Sequence, residues 1–315
     1  LRCQKLSIPI EGSTMNTISG VNQTLLLRIA ILTTIFFPTL TTSCQTTPNK
    51  QSFDELQALQ DTTYQVTLGP RTIGSIAHQQ VIDWASDELE KAGWEVSHQS
   101  FNWASQKLTN IIASRGNGNP WILIGAHYDS RFISDQDPDP NKQNNPVLGA
   151  NDGASGVAVL LEIARSLPPD LDKQIWIVLF DAEDNGNIPG WEWIIGSRVF
   201  AANLSEYPDS VVIIDMVGDA DLNLYLERNS SQELLDEIWG IAYEKGYLQF
   251  IPEHRHQILD DHIPFIELGI PAVDIIDFDY PYWHTTHDTV DKISPESLDA
   301  VGEVLLEWLI NVNSG

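Results

Sequence analysis

The chain has 315 residues, 42% hydrophobic and 19% charged, ordinary values for a folded globular protein. Seventeen Lys and Arg stand against 44 Asp and Glu, a formal charge of -27. A surface this acidic repels phosphate backbones and argues against nucleic acid as a partner, whereas clustered carboxylates can hold cations. Both cysteines, Cys3 and Cys44, fall within the first 44 residues, so the rest of the chain has no internal disulfide and no Cys-rich metal site.

Residues 25–44, LLLRIAILTTIFFPTLTTSC, place Arg28 before a short apolar run, with small polar residues before Cys44. The run is too short for a comfortable membrane span and reads as a secretion signal. The expectation is a signal over 1–43, with Met15 the natural start and the stretch before it an upstream artefact. Cys44 after small residues resembles a bacterial lipoprotein signal, with ordinary signal-peptidase cleavage as the alternative. The expected protein is therefore exported, either periplasmic or anchored to a bacterial membrane by a lipid on Cys44. Residues 44–68 carry the polar QTTPNKQSFDELQ after Cys44 and read as a tether, and 69–315 as the catalytic domain.

The spacing of apolar residues predicts a helix over Ile76–Ala92, ending at Gly93. WEVSHQSFNW alternates as a strand, and LTNIIASR is its hairpin partner across ASQK. PWILIGAHYDS is a compact apolar strand, and GASGVAVLLEIARSL a helix with a Gly-rich start. QIWIVLF and VVIIDMVG are further buried strands, followed by a helix over Ser231–Lys245 and the strand PAVDIIDFD. SPESLDAVGEVLLEWLINV closes the chain as a helix, with Ser294 as N-cap and Pro295 at its first position. Continuous apolar strands alternating with helices predict a single α/β domain, its central sheet mixed but mostly parallel and flanked by helices.

Four of the apolar runs lead directly into acidic residues or histidine. ILIGA leads to His127 and Asp129, IVLF to Asp181, Glu183 and Asp184, and VVII to Asp215. VDII leads to Asp277 and then to His284 and His287, and Asp152 sits in the glycine-rich GANDGASG before a helix. In open α/β sheets ligands bind outside the carboxyl ends of the strands, so these residues can converge on one cleft. Any one such carboxylate alone is usually a loop residue or a cap; the repetition carries the argument. Crowded carboxylates repel and must be neutralised. Carboxylate and imidazole without thiolate suit zinc in an open, catalytic site.

AHYDS, GANDGASGVAVLLEIAR, LFDAED, IIDMVG and the run from DDHIPF to YWHTTHDT fall in the order and spacing of the zinc aminopeptidase superfamily. Within it the chain resembles glutaminyl-peptide cyclotransferases of the animal and bacterial type, from Thr72 to the C-terminus. The resemblance implies a zinc aminopeptidase-like fold and one Zn2+ held by Asp152, Asp184 and His284, with Glu183 as the acid/base. The family more often has Glu where Asp184 stands; Asp is one methylene shorter, so the metal would sit closer to that strand. His287 falls at a variable place and is expected to be a neighbouring or surface histidine. His127 and Asp215 match the ligands of a second zinc in dinuclear aminopeptidases, whereas cyclotransferases use the equivalent side chains in hydrogen bonds. Asp260 matches a proton-relay residue of cyclotransferases, and Asp215 is its candidate companion. Trp283 matches an aromatic wall for the substrate side chain; Trp191 or Trp193 is expected to supply another, and the choice between them stays open.

The implied reaction converts the N-terminal glutamine of a peptide or protein to pyroglutamate with release of ammonia. The alternative is a zinc aminopeptidase with two zinc ions per chain. A catalytically silent peptide-binding lipoprotein is disfavoured because Glu183 and all three candidate ligands are intact. No exposed apolar stripe is evident, which makes a monomer the expectation.

Overall fold

The apolar runs form strands and the helical periodicities form helices. The computed structural model describes residues 52–312, all within one unit. The expected signal, the stretch before it and Cys44 lie outside the described residues. Helix α1 (Glu55–Thr67) is capped by Asp54, which accepts from the Gln57 amide, and α2 (Ile76–Lys91) by Ser75 in the same manner. Strands β1 (Glu95–Trp103) and β2 (Gln106–Arg115) form a hairpin closed by Ala104 and Ser105, both at positive φ, as a two-residue hairpin turn requires. The chain continues through β3 (Trp121–His127), α3 (Ala154–Ser166), β4 (Gln174–Phe180), α4 (Ile195–Ala202) and β5 (Ser210–Asp215). It then runs through β6 (Leu224–Leu226), α5 (Gln232–Lys245), β7 (Phe250–His254), α6 (Ile263–Glu267), β8 (Ala272–Ile276) and α7 (Pro295–Asn311).

Six strands make one sheet in the order β1-β2-β4-β3-β5-β8, and β6 pairs with β7 separately. β4, β3, β5 and β8 are parallel, while β1 and β2 join antiparallel at one edge. The mixed, mostly parallel sheet expected from the sequence is present. Successive side chains of a strand face opposite ways. Ile122 and Ile124 of β3 meet Val157 and Leu161 of α3 and Leu305 of α7, whereas Leu123 packs with Phe200 of α4 and Phe265 of α6 on the opposite face. Burial on both faces explains why these strands read as unbroken apolar runs. Each fully buried Leu or Ile there contributes about 1.5–3 kcal/mol.

The tether predicted over 44–68 must be corrected from residue 53 onward. Phe53 is buried, and α1 packs against α3 and α7. Gly302 of α7 makes room, since a Cβ there would lie 2.3 Å from the Phe53 ring. Helix α1 escaped notice because part of its buried face is polar. Asp61 pairs with Arg165 of α3, and Gln65 Nε2 donates to the Ala154 carbonyl at 3.0 Å. Among the described residues no helix is long and apolar enough to cross a membrane.

Candidate active site

The parallel strands deliver their following residues to one edge of the sheet. Register pairs His127 with Phe180, the residue before Asp181, and Asp215 with Ile276 of β8. The turns beyond are strained: Ala182, Met216 and His284 are non-glycine residues at φ of 59°, 48° and 54°. Such conformations cost on the order of 1–3 kcal/mol each and persist only where the surroundings enforce them. Asp129 enforces the first by accepting from the amides of Glu183 at 3.0 Å and Asp184 at 3.4 Å. Asp288 fixes the turn before α3, accepting from the amides of Asn151 at 2.8 Å and Asp152 at 3.2 Å and from the Tyr280 hydroxyl. Gly153, at φ 89°, is required where that turn meets β3, because a Cβ would lie 2.9 Å from the Asp129 carbonyl oxygen.

Asp152, Asp184 and His284 offer ligand atoms within 4.8 Å of one another, and all three are buried. His284 Nε2 lies 2.7 Å from Asp184 Oδ1 and 3.7 Å from Asp152 Oδ2. The buried Asp152 Oδ2 and Asp184 Oδ2 have no hydrogen-bond partner. Burial and the charge of Asp152 push Asp184 up to about 6. Two adjacent carboxylates with unpartnered oxygens beside an imidazole fit a divalent cation, and the thiolate-free donor set suits zinc.

His127, Asp152 and Asp215 form a second such group. His127 Nε2 lies 3.1 Å from Asp152 Oδ1 and 3.2 Å from Asp215 Oδ1. Burial alone would lower the imidazole pKa, but Asp215, Asp129 and Asp152 outweigh it and raise it well above its usual value. Burial lifts Asp215 to about 7 despite His127. Glu183 is raised well above an ordinary glutamate by burial, against the pull of His127 and with Asp184, Asp260 and Asp261 adding to the rise. A third buried group, Asp260, His262 and Asp274, lies beyond it, with His262 Nε2 3.3 Å from Glu227 Oε2. Burial and the neighbouring Asp260 raise both Asp261 and Asp274 well above the usual carboxyl range, so they keep their protons to higher pH.

Members of all three groups border one cavity of about 200 Å³, which Asp152, Asp184, Asp215, Asp260 and His284 line together with Glu183. Its aromatic walls are Trp193, Trp283 and Phe278. The His284 ring stacks with both tryptophans, its centroid 3.7 Å from that of Trp283 and 5.9 Å from that of Trp193, with interplanar angles of 25° and 11°. Trp191 instead packs edge-on against Phe132 at 5.3 Å and does not line the cavity. A larger groove of about 760 Å³ between α5 and β7 is walled mainly by apolar and aromatic residues such as Trp239 and Phe250 and lacks such a cluster.

Residues 110–309 match Peptidase family M28. The chain belongs to the M28 peptidase family. It is 26% identical over 291 residues to the glutaminyl-peptide cyclotransferase of Gloydius blomhoffii, covering 76% of each chain. It superposes on the glutaminyl cyclase of Bacteroides thetaiotaomicron, crystallised with N-acetylhistamine, with a TM-score of 0.79 and 32% identity over 83% of this chain and 99% of that one. A leucine aminopeptidase precursor of the same organism gives 0.80 and 33%, over 84% of this chain and 99% of the other. These zinc exopeptidase-like neighbours share its mixed α/β architecture.

Of the candidate side chains, Asp152, Glu183, Asp184, Asp215, Asp260, Trp193, Trp283 and His284 line the cavity, and His127 stands behind it against Asp152 and Asp215. Asp181 and Asp277 lie elsewhere. Asp181 accepts from the Thr109 amide at 2.7 Å and meets His78 Nε2 at 2.8 Å, while Asp277 accepts from the Asn223 and Asp279 amides. Both anchor turns. His287 is exposed. Sequence reasoning missed Arg131, Asp135, Asp261, His262 and Asp274. Only Asp274 left a legible signal, a charge in the middle of the fully buried strand AVDII.

Proposed function

We propose that this chain is a zinc-dependent glutaminyl-peptide cyclotransferase acting on peptide or protein N-termini. The observation that carries the reading is Asp260 on the same small cavity as Glu183 and the Asp152–Asp184–His284 group, between two indole walls. The relatives named glutaminyl-peptide cyclotransferase and glutaminyl cyclase support it. Asp152, Asp184 and His284 would hold the zinc; when bound, it supplies Lewis-acid polarisation of the glutamine side-chain amide carbonyl. Trp283 and Trp193 clamp the side chain so that the α-amine reaches its amide carbon. Glu183, its pKa raised, takes the proton released as the new C–N bond forms and returns it to the departing amide nitrogen, which leaves as ammonia. Asp260 and Asp215 hold Glu183 and the developing tetrahedral centre by hydrogen bonds.

Two peptides test the reading, one beginning with Gln and one with Ala, followed by mass spectrometry. Loss of ammonia from the first, with the second intact, is the expected result. Release of a free N-terminal residue from either peptide would instead indicate the second reading, a dinuclear aminopeptidase. That reading draws on the His127–Asp152–Asp215 group and predicts two zinc ions per chain rather than one. We also propose export of the chain and lipid attachment at Cys44; metabolic labelling with a clickable fatty acid, with Cys44→Ala as control, tests this.

A further inference from the structure

We infer that Arg131 is a positioning residue that holds the Asp184 turn, the Trp193 wall and, through Asp135, the His284 ring as one unit. Arg131 follows β3 and is 1% exposed. Its Nε and Nη2 donate to both oxygens of Asp135, at 2.8 and 2.9 Å. Nη1 donates to the Asp184 carbonyl at 2.7 Å and Nη2 to the Gly186 carbonyl at 3.1 Å. The flat guanidinium lies 4.9 Å from the centre of the Trp193 ring. Asp135 Oδ1 in turn stands 3.6 Å from His284 Nδ1, and the next amide, Gln136, donates to the His284 carbonyl at 3.2 Å.

Every acceptor of this guanidinium therefore belongs to the Asp184 turn or to the carboxylate behind His284. A planar fork can serve four such bonds and stack on an indole at once; an ammonium cannot reproduce that geometry. Residues behind a metal ligand that fix its orientation are typically worth 10–100-fold in metal affinity. The demand is acute because Asp184 is short, leaving little side-chain slack if its backbone shifts. The inference rests on reading Asp184 and His284 as zinc ligands.

The test titrates zinc into chelator-stripped protein, read by the intrinsic fluorescence of the tryptophans beside His284 and by chelator competition. Wild type, Arg131→Met, Arg131→Lys and Asp135→Asn are compared, with KM and kcat for a Gln-initiated peptide measured on each zinc-loaded protein. Arg131→Met is expected to weaken zinc about 10–100-fold and to raise KM, with Arg131→Lys recovering only a minor part of either loss. Asp135→Asn, at a partly exposed position, is expected to weaken zinc about tenfold with a smaller rise in KM than Arg131→Met, because Trp193 keeps its contact with Arg131. Folded variants that all bind zinc within about threefold of wild type overturn the inference. Should Arg131→Met fail to fold, Arg131→Lys and Asp135→Asn decide alone. A wild type that binds zinc but does not cyclise sinks the cyclase reading, while the titration still decides the role of Arg131.

Discussion

His127 and His284 stand in one cleft among carboxylates, yet they are held in different ways. His127 is enclosed: Nε2 is shared between Asp152 and Asp215, and Nδ1 faces Asp129 at 3.5 Å. Those carboxylates raise its pKa well above the usual value, against the lowering effect of burial. His284 instead stacks with two indoles, and its Nε2 stands beside Asp184 and Asp152, each of which has one oxygen without a partner. One histidine is set among three carboxylates, and the other stacks on two indoles beside two carboxylates. The proposed single-zinc reading assigns the metal to the group around His284 and leaves His127 in its contacts with carboxylates.

Replacing each histidine in turn separates their roles. The largest expected effect is His284→Ala: zinc content measured by plasma emission falls to background and turnover disappears. Glu183→Gln keeps the zinc and lowers kcat by about 10²–10⁴-fold, since it removes only the proton carrier. His127→Ala retains one zinc per chain and lowers kcat/KM by about 10–100-fold. Loss of half the bound metal in that variant, from two ions to one, would overturn the one-metal assignment. The smallest effect lies outside the cavity. Burial raises Asp277 from 3.8 to about 7, so the stability tied to its proton is fully present below pH 4 and is lost as pH rises through 7. Asp277→Asn should therefore raise the melting temperature by about 2–4 °C at pH 8 and leave it nearly unchanged at pH 4, as read by calorimetry.

The parts legible in the sequence are those that burial writes along the chain. β3, β4, β5 and β8 are covered on both faces and leave apolar runs, and the groups after them converge because parallel strands end at one edge. Asp152, Glu183, Asp184, Asp215 and His284 were found for that reason. Asp260 and the tryptophans rest on resemblance alone, and no periodicity separates Trp193 from Trp191. That choice depends on the turn after β4, where Ile194 adopts a φ of 56°. Arg131 and Asp135 lie in a polar loop whose pattern is indistinguishable from solvated chain; their importance arises from contacts with residues about 50 and 150 positions away. Helix α1 was missed for a related reason, because a buried face made partly of Asp, Thr and Gln has no apolar stripe.

Phe53 and α1 bring the folded unit to within nine residues of Cys44. On the proposal that Cys44 carries a lipid, residues 45–52 are the whole leash. Fully extended, eight residues reach only about 26–29 Å. That is less than the width of a domain of this size, whose radius of gyration is about 18 Å. The enzyme would work as a surface-bound catalyst, sampling N-termini that emerge at or drift along the membrane rather than sweeping the surrounding space.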